Sequence, residues 1–440
     1  MKKMKKLVAA ALALLLIPAL CACEELDALR SQLPDPPKID ETAPPSEDVT
    51  EPVETETPDS SELITPVNAE DGTGVYVSFT TDTKECYDPN DGSQLILSFS
   101  SVVPRVSIAG AEDSVVSKIN EALGLIEETY YTGNDHGYGT STGYNMMLEL
   151  AEDNYSYIMG SGAEDMPMQF SASRTVSVAR ADGAVISLMY NDYEFTGGDH
   201  GSTTIRSYVF DTQTGDIVSI DSLSADPAAL RDAILDSMKT AIDEDKDGYY
   251  SQRVDLTGGD LDGTLSALLK TGSWGFGDKG LEIRANLYEL GSYAAGIVEF
   301  TVPYEALSGT MDAKWFPAAK SGEGSLSISP LDSVDDGSVE IVSRVVIDPN
   351  GKEYCLKAEG TVYDLTVSAG MFAEQFYKNT DIWYANRLSD GAVQLQLTLP
   401  EGLPELMVSY RDATGSRSLF ITGNDSGVTL TDPSSVQAVG

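Results

Sequence analysis

The stretch that decides the fold runs from Tyr190 to Leu223 and reads YNDYEFTGGDHGSTTIRSYVFDTQTGDIVSIDSL. The segment Gly197–Gly201 favours a tight loop, because glycine adopts backbone conformations that other residues avoid. Two strands, Ile205–Asp211 and Ile217–Ile220, are predicted on either side of a second glycine turn. Upstream, Asp182-Gly183 is a hairpin signal between two apolar runs. The region therefore predicts an antiparallel meander of about four strands.

Helices are predicted where apolar residues recur every three or four positions. Asp226-Pro227 marks the start of one helix, since proline is favoured in the first helical turn. Its apolar face consists of Leu230, Ile234, Met238 and Ile242. Other helices are expected from Asp113 onward, over Tyr144–Ile158 and over Leu261–Leu269. Two strands, Leu281–Ala285 and Ile297–Val302, are expected to complete the sheet.

Two separated motifs carry a family resemblance. The Gly-Gly-Asp-His-Gly loop, followed by a strand, a Thr-Gly turn and an amphipathic helix, resembles the RsiV-like extracytoplasmic domain. The second motif lies in Gly280–Leu307 and includes Asn286-Leu287-Tyr288-Glu289, with leucine where the family usually has proline. The resemblance covers residues 74–318. The strand-then-helix portion before the meander resembles the domain that usually precedes RsiV-like domains.

That family includes a lysozyme-sensing anti-sigma factor and the non-catalytic front part of PdaC-type peptidoglycan deacetylases. The resemblance implies an α+β fold, with an antiparallel sheet and packed helices. It also implies a ligand outside the cytoplasm, either a lysozyme-like protein or a cell-wall glycan. Only six residues precede the first apolar segment, so we expect no cytoplasmic sigma-binding domain.

The N-terminus has the layout of a bacterial lipoprotein signal. Lysines precede an apolar run from Leu7 to Leu20, which is short for a membrane span. The run ends in Leu-Cys-Ala-Cys, which predicts cleavage before Cys23 and lipidation of that residue. We therefore expect an extracytoplasmic protein that is lipid-anchored to the cell membrane, although an uncleaved helix and plain secretion are alternatives.

Composition divides the chain into five parts. Residues 1–22 are assigned to the signal peptide and 23–73 to a disordered tether, since acidic residues and prolines dominate there and few apolar groups are available for a core. Residues 74–172 and 173–318 form the α+β unit. From 325 to 440 short apolar runs alternate with turn signals, which predicts a smaller all-β domain of sandwich type. The strands expected there include Val339–Ile347, Val362–Val367 and Val428–Leu430.

Charge and cysteine content restrict the partners and the chemistry. Lys and Arg number 28 against 70 Asp and Glu, a net charge of −42, which disfavours nucleic acid and anionic membrane surfaces. We expect contact with the membrane through the lipid anchor alone, and the oligomeric state is left open. Cys86 and Cys355 are the two cysteines beyond the signal region, and we predict buried free thiols.

The sequence contains one candidate metal site, a calcium loop. Asp243, Asp245 and Asp247 alternate before Gly248, which is the carboxylate spacing of an EF-hand loop. The twelfth position is Val254 instead of an acidic residue, so an acidic helix end is the simpler interpretation. No other cofactor is expected.

The sequence favours binding over catalysis. With two histidines, His136 and His200, a zinc site of the usual composition is not expected, and no nucleophile or phosphate-binding motif is present. A hydrolase that uses carboxylates and a structural envelope module are the alternatives. The candidate residues for ligand contact, or for pinning the two motifs together, are Gly197, Gly198, Asp199, His200, Gly201, Asn286, Tyr288, Glu289 and Tyr293. We expect His200 to hydrogen-bond Tyr288 or Glu289.

Overall fold

The structure is a computed structural model of the 440-residue chain. It describes residues 73–90, 92–134, 136, 142–161, 169–245, 248–254, 260–271, 273–317, 320, 324–330, 341–346, 352–372, 376–397, 405–412 and 415–421. All of them belong to one compact unit, Pro58–Gly440. The predicted signal peptide, Cys23, the tether up to residue 72 and the predicted strand Val428–Leu430 lie outside the described residues.

Five helices are described: α1 (Asp113–Thr132), α2 (Tyr144–Ser161), α3 (Pro227–Glu244), α4 (Tyr249–Arg253) and α5 (Leu261–Thr271). The strands of the first half are β1 (Val75–Tyr87), β2 (Leu95–Ile108), β3 (Phe170–Ala181), β4 (Val185–Phe195), β5 (Ser202–Asp211), β6 (Ser273–Phe276), β7 (Gly280–Ala285) and β8 (Val298–Pro303). Those of the C-terminal part are β9 (Gly324–Pro330), β10 (Ile341–Val346), β11 (Lys352–Phe372), β12 (Phe376–Leu397), β13 (Glu405–Asp412) and β14 (Gly415–Ile421). The fold is α+β, as predicted.

A large, mostly antiparallel sheet organises the molecule. Its main path is β14-β13-β11-β12-β1-β2-β3-β4-β5, and β9 and β10 pair with β11 and β12. The C-terminal part is all β, as predicted, but its strands continue this sheet instead of forming a sandwich of their own. The junction is the pairing of Tyr76–Ser78 on β1 with Trp383–Ala385 on β12. Local spacing of apolar residues carries no information about which strand will be a neighbour, so the sequence did not show this pairing.

The two strands that were expected to complete the sheet, β7 and β8, form a second sheet together with β6, which was not predicted, in the order β6-β7-β8. β6 lies against the large sheet, where the Phe276 N–H donates to the Ser187 hydroxyl over 3.0 Å. Gly275 permits this approach, because a Cβ there would lie 2.8 Å from Ser187 Oγ and 3.1 Å from Ser207 Cβ. The two sheets are therefore packed together and not continuous.

Two helices that the apolar periodicity predicted, α3 and α5, share one apolar core with the second sheet and with Val185 and Val209 of the large sheet. Leu230, Ile234, Met238 and Ile242 of α3 are all buried, and Asp226 caps the helix by accepting a hydrogen bond from the Ala229 N–H over 3.1 Å. α1 also buries an apolar face, which packs on the large sheet. Within the described residues, no helix combines the length and apolarity that a bilayer span requires.

The predicted strand Ile217–Ile220 is not formed. Ile217 makes an isolated bridge to Phe210, and a 3-10 helix begins at Ile220. The Val218 N–H donates to the Val209 carbonyl over 2.8 Å. Burial of Val218 and Ile220 in the core beneath α3 explains their apolar character without a strand. The meander accordingly has three strands, β3, β4 and β5.

Candidate functional site

The two sequence motifs meet at one place on the surface. The rings of His200 and Tyr293 are stacked, with centroids 3.6 Å apart and planes inclined by 19°. The Tyr293 hydroxyl donates to the Gly201 carbonyl over 2.9 Å. Segments about ninety residues apart in sequence therefore form one structure at the start of β5.

Asn286 attaches the second motif to the edge of the large sheet. Its side-chain oxygen accepts a hydrogen bond from the Ile205 N–H over 2.7 Å. Its amide nitrogen donates to the Ile205 carbonyl over 3.2 Å. The side chain thus replaces the neighbouring strand that β5 lacks at this residue, which satisfies backbone groups that an edge strand leaves open. Asn286 has a structural role here.

A tight turn follows Asn286 and presents Tyr288. The carboxylate of Glu289 accepts a hydrogen bond from the Asn286 N–H over 2.6 Å, and the Glu289 N–H donates to the Asn286 carbonyl over 3.1 Å. Partial burial raises the pKa of Glu289, and the hydrogen bond from Asn286 opposes that rise. Between them, Tyr288 has a φ of 69°, a left-handed backbone that costs a non-glycine residue about 1–2 kcal/mol.

Tyr288 is also the most exposed aromatic residue of this site, with 60% of its surface accessible. Its ring lies 6.0 Å from that of Tyr293. The site therefore presents three neighbouring rings, those of His200, Tyr293 and Tyr288. We call them the ring cluster.

The glycine loop shapes the other side of the ring cluster. Gly197 and Gly198 have φ values of 92° and 95°, which explains the need for glycine at both positions. Gly201 packs directly on the ring of Tyr193, since a Cβ at Gly201 would lie 2.5 Å from that ring. Asp199 is exposed beside His200. The sequence did not single out Tyr193 because it lies on a strand whose alternation looked ordinary.

The expected partner of His200 differs from the observed one. Among the described residues, its ring contacts are the stack on Tyr293 and a 3.2 Å hydrogen bond from Nδ1 to the Gly201 carbonyl. Tyr288 and Glu289 are not its hydrogen-bond partners, because Glu289 turns inward to the Asn286 N–H. His200 therefore links the loop to the second motif by ring contact.

A buried ionic group lies on the other face of the large sheet and was not predicted. The Arg174 guanidinium binds both oxygens of Asp192, with Nε–Oδ1 at 2.7 Å and Nη2–Oδ2 at 2.8 Å. Glu127 lies 3.6 Å from Arg174 Nη1, and the Tyr130 ring lies 3.8 Å from the guanidinium carbon. Burial raises the pKa of Glu127, and Arg174 opposes that rise. Because Arg174 and Asp192 are buried, the group belongs to the interior of the fold and offers no surface to a substrate.

The calcium prediction falls partly outside the described residues, since Asp247 is not among them. Asp243 lies within α3, and Asp245 accepts a hydrogen bond from the Tyr250 N–H over 3.0 Å. No three His, Cys, Asp or Glu side chains in the described ranges are grouped closely enough to hold a metal ion. Asp245 therefore has a helix-end role here, and calcium binding stays a prediction.

Both cysteines of the described chain are free thiols. Cys355 is buried, and burial raises the pKa of its thiol. Cys86 is half-buried and not fully buried as predicted, and its sulfur lies 2.7 Å from the Tyr144 hydroxyl.

Comparison with known proteins identifies one family. A family model described as "Protein of unknown function (DUF3298)" matches residues 221–305, so the chain contains a DUF3298 domain. That segment includes α3 to α5, the second sheet and the second motif. None of the curated proteins matches the chain.

Two solved structures are similar to the chain. A DUF3298 family protein from Pseudomonas aeruginosa PAO1 is 14% identical, covers 55% of this chain and 98% of its own, and has a TM-score of 0.36. A DUF3298 family member from Bacteroides fragilis NCTC 9343 is 14% identical, covers 54% of this chain and 94% of its own, and has a TM-score of 0.38.

Proposed function

We propose that this chain is an extracytoplasmic binding protein with an RsiV-like ligand-recognition region, and that the ring cluster is its contact surface. Tyr288 is the observation that carries the proposal. An exposed tyrosine in an unfavourable backbone conformation contributes little to folding, and such strain is concentrated at functional sites. Tyrosine is also among the residues that dominate binding energy at protein interfaces.

A cationic protein of the lysozyme type is the partner that the charge favours. The chain has a net charge of −42, and Asp199 is exposed beside the ring cluster. An acidic surface steers a basic partner toward it, and this effect weakens as salt screens the charges. The same charge disfavours nucleic acid as a ligand.

A cell-wall glycan is the second candidate, because the Tyr288 ring is exposed in the way that sugar stacking requires. In both cases the chain acts as a binding or sensing module, and neither requires a catalytic residue. The proposal includes a lipid anchor at Cys23, with residues 24–73 as a spacer between the membrane and the folded part.

Titration calorimetry of the purified chain with lysozyme tests the first candidate. We expect saturable binding at low ionic strength that weakens at physiological ionic strength. Tyr288→Gly should weaken binding by at least about tenfold, as expected for a central interface tyrosine. The matched control is Tyr157→Ala on α2, a tyrosine that is 63% exposed and remote from the motifs in sequence.

Absence of binding at both ionic strengths would rule out lysozyme as the ligand. Equal loss in Tyr288→Gly and Tyr157→Ala contradicts the location of the site. Binding of soluble wall fragments in place of lysozyme, weakened by Tyr288→Gly alone, supports the glycan candidate.

A further inference from the structure

The outward face of α2 carries large apolar side chains where a surface helix ordinarily carries polar ones. Met146 is 56% exposed and Tyr157 is 63% exposed. The half-buried Leu150 lies between them, four residues after Met146 and seven before Tyr157. Residues at these spacings lie on the same side of an α-helix. We call these three side chains the α2 stripe.

The core contacts of α2 come from the opposite side of the helix. Met147, Ala151 and Tyr155 are buried there, and they pack in one cluster with side chains of β2 and β3. At a rise of about 1.5 Å per residue, the α2 stripe extends about 16 Å along the helix. α2 therefore has a second apolar surface, about three turns long, beside the one that the core uses.

Carboxylates without ionic partners border the α2 stripe. Glu149, Glu152 and Asp153 are exposed, and within the residues that the structure describes none of the three has an ion pair. α2 is also the one helix of the five described that contains no Lys or Arg. On α3, by contrast, Lys239 lies 3.3 Å from Asp236. The outward face of α2 is therefore both apolar and acidic, and the helix supplies no counter-charge.

The combination of an apolar stripe and free carboxylates selects one class of partner. Anchors at helical spacing fit a helix that lies along α2, and methionine adapts to partners of different shape. A second copy of this face would bring like charges together, and an anionic lipid surface would be repelled. A cationic helix with one apolar face complements both the stripe and the carboxylates.

We infer that the α2 stripe binds a cationic amphipathic helical peptide. The apolar face of the peptide covers the stripe, and its lysine or arginine side chains pair with Glu149 and Asp153. Peptides of this composition also bind lipid surfaces, so the α2 stripe competes with a bilayer for them. The ring cluster takes no part in this contact, and the inference does not depend on the proposed function.

Fluorescence anisotropy of a labelled synthetic peptide tests the inference. The peptide consists of leucine and lysine with the leucines at helical spacing, and a scrambled peptide of the same composition is the reference. We expect the purified chain to bind the amphipathic peptide at least about tenfold more tightly than the scrambled one. The net charge of the chain attracts both peptides, but only the first presents an apolar face.

Substitutions on α2 locate the contact. Met146→Ser combined with Tyr157→Ser should weaken binding of the amphipathic peptide by at least about tenfold. The matched control is Met159→Ser, because Met159 is 59% exposed on the same helix but lies two residues past Tyr157, on another side. Glu149→Gln combined with Asp153→Asn should weaken binding at low ionic strength and reduce its dependence on salt.

Equal affinity for the two peptides would show that net charge alone attracts them, and it overturns the inference. Full affinity in the Met146→Ser, Tyr157→Ser variant overturns it too, as does an equal loss in Met159→Ser. Sedimentation that shows a dimer of the wild type, abolished by the double variant and without peptide binding, would assign this face to a second copy instead.

The two proposed surfaces are separated by reciprocal variants. Tyr157→Ala, the control for lysozyme binding, should weaken peptide binding and leave lysozyme binding unchanged. Tyr288→Gly should keep the wild-type affinity for the peptide. Loss of peptide binding in Tyr288→Gly, with full affinity in Tyr157→Ala, would place the peptide on the ring cluster and overturn the inference.

Discussion

Three asparagines use their side-chain amides as substitutes for a strand backbone. Asn286 bonds both the N–H and the carbonyl of Ile205, and Asn120 does the same for Val106. Asn386 accepts from the Val75 N–H and donates to the Thr73 carbonyl. Asparagine suits this position because its amide carries both a donor and an acceptor at the end of a short chain.

Asn286→Ala should destabilise the fold. The substitution leaves the Ile205 N–H and carbonyl without their partner, at a cost of about 1–3 kcal/mol. Urea unfolding followed by circular dichroism measures the change, and Asn145→Ala, on the exposed surface of α2, is the control. Equal stability of the two variants would show that the second motif is held to β5 by other contacts.

Glu127 is expected to make stability depend on pH. Burial raises its pKa above the ordinary 4.5, so the folded chain retains this proton at pH values where the unfolded chain has lost it. Its contribution to stability therefore falls as the pH rises from the unfolded pKa through the folded one. Glu127→Gln should remove that part of the decline in stability with rising pH. Below the unfolded pKa, the stability of the variant should equal that of the wild type.

Urea unfolding across weakly acidic and neutral pH tests the role of Glu127. Glu121→Gln, an exposed position on the same helix, is the control and should follow the wild-type profile. A Glu127→Gln profile that also follows the wild type would contradict the raised pKa.

At the scale of the elements, two glycines differ in the space that a side chain would have. Gly275 lets β6 approach the large sheet, and a Cβ there would lie 2.8 Å from Ser187 Oγ. Gly124 lies within α1, and a Cβ there meets nothing within 4 Å. The same substitution should therefore have opposite effects at the two sites.

Gly275→Ala should lower the free energy of unfolding by about 1–3 kcal/mol, because β6 must move away from Ser187. Gly124→Ala should raise it by up to about 1 kcal/mol, since alanine has the higher helix propensity. Thermal and urea unfolding measure both variants. Stabilisation by Gly275→Ala would mean that the contact between the sheets is loose.

Edge strands of both sheets are covered by side chains. The Tyr250 hydroxyl donates to the Glu299 carbonyl over 3.0 Å, and the Glu299 N–H donates to the Tyr249 hydroxyl over 3.2 Å. α4 thus covers β8, as Asn286 covers β5. These hydrogen bonds occupy the backbone groups of Ile205 and Glu299 that an added strand would need.

For the whole molecule, the C-terminal strands are part of the same folding unit as β1. Tyr384 of β12 is buried in the core beneath α1, and Trp383 stacks on Tyr76 with ring centroids 6.2 Å apart. A chain that ends at residue 323 should lose more than about 3 kcal/mol of stability, because removal of one large buried aromatic residue alone has that cost.

Urea unfolding and hydrogen exchange at Tyr76–Ser78 test this dependence. The shortened chain should lose exchange protection at those residues, which pair with β12 in the full chain. Unchanged protection and an unchanged midpoint would show that the C-terminal strands form an independent domain.

Local patterns in the sequence were sufficient for most elements. Helical spacing located α1, α2, α3 and α5, because each helix buries a single apolar stripe against a sheet. The glycine loop and Tyr288 were identified from composition and resemblance, and the structure shows that the two motifs touch. The predicted strand Ile217–Ile220 was wrong, because Val218 and Ile220 are buried next to an isolated bridge and at the start of a 3-10 helix, and this burial produces the alternation of a short strand.

The sequence by itself determined the α+β class, the positions of α1, α2, α3 and α5, the acidic charge and the residues of the two motifs, since each depends on neighbours in the chain or on composition. It did not predict the short helix α4. The tertiary structure decided which strands pair and that β6 to β8 form a separate sheet. Contacts between distant strands depend on the register of backbone hydrogen bonds. Backbone N–H and carbonyl groups are chemically alike along the chain, so the local sequence does not identify their partners.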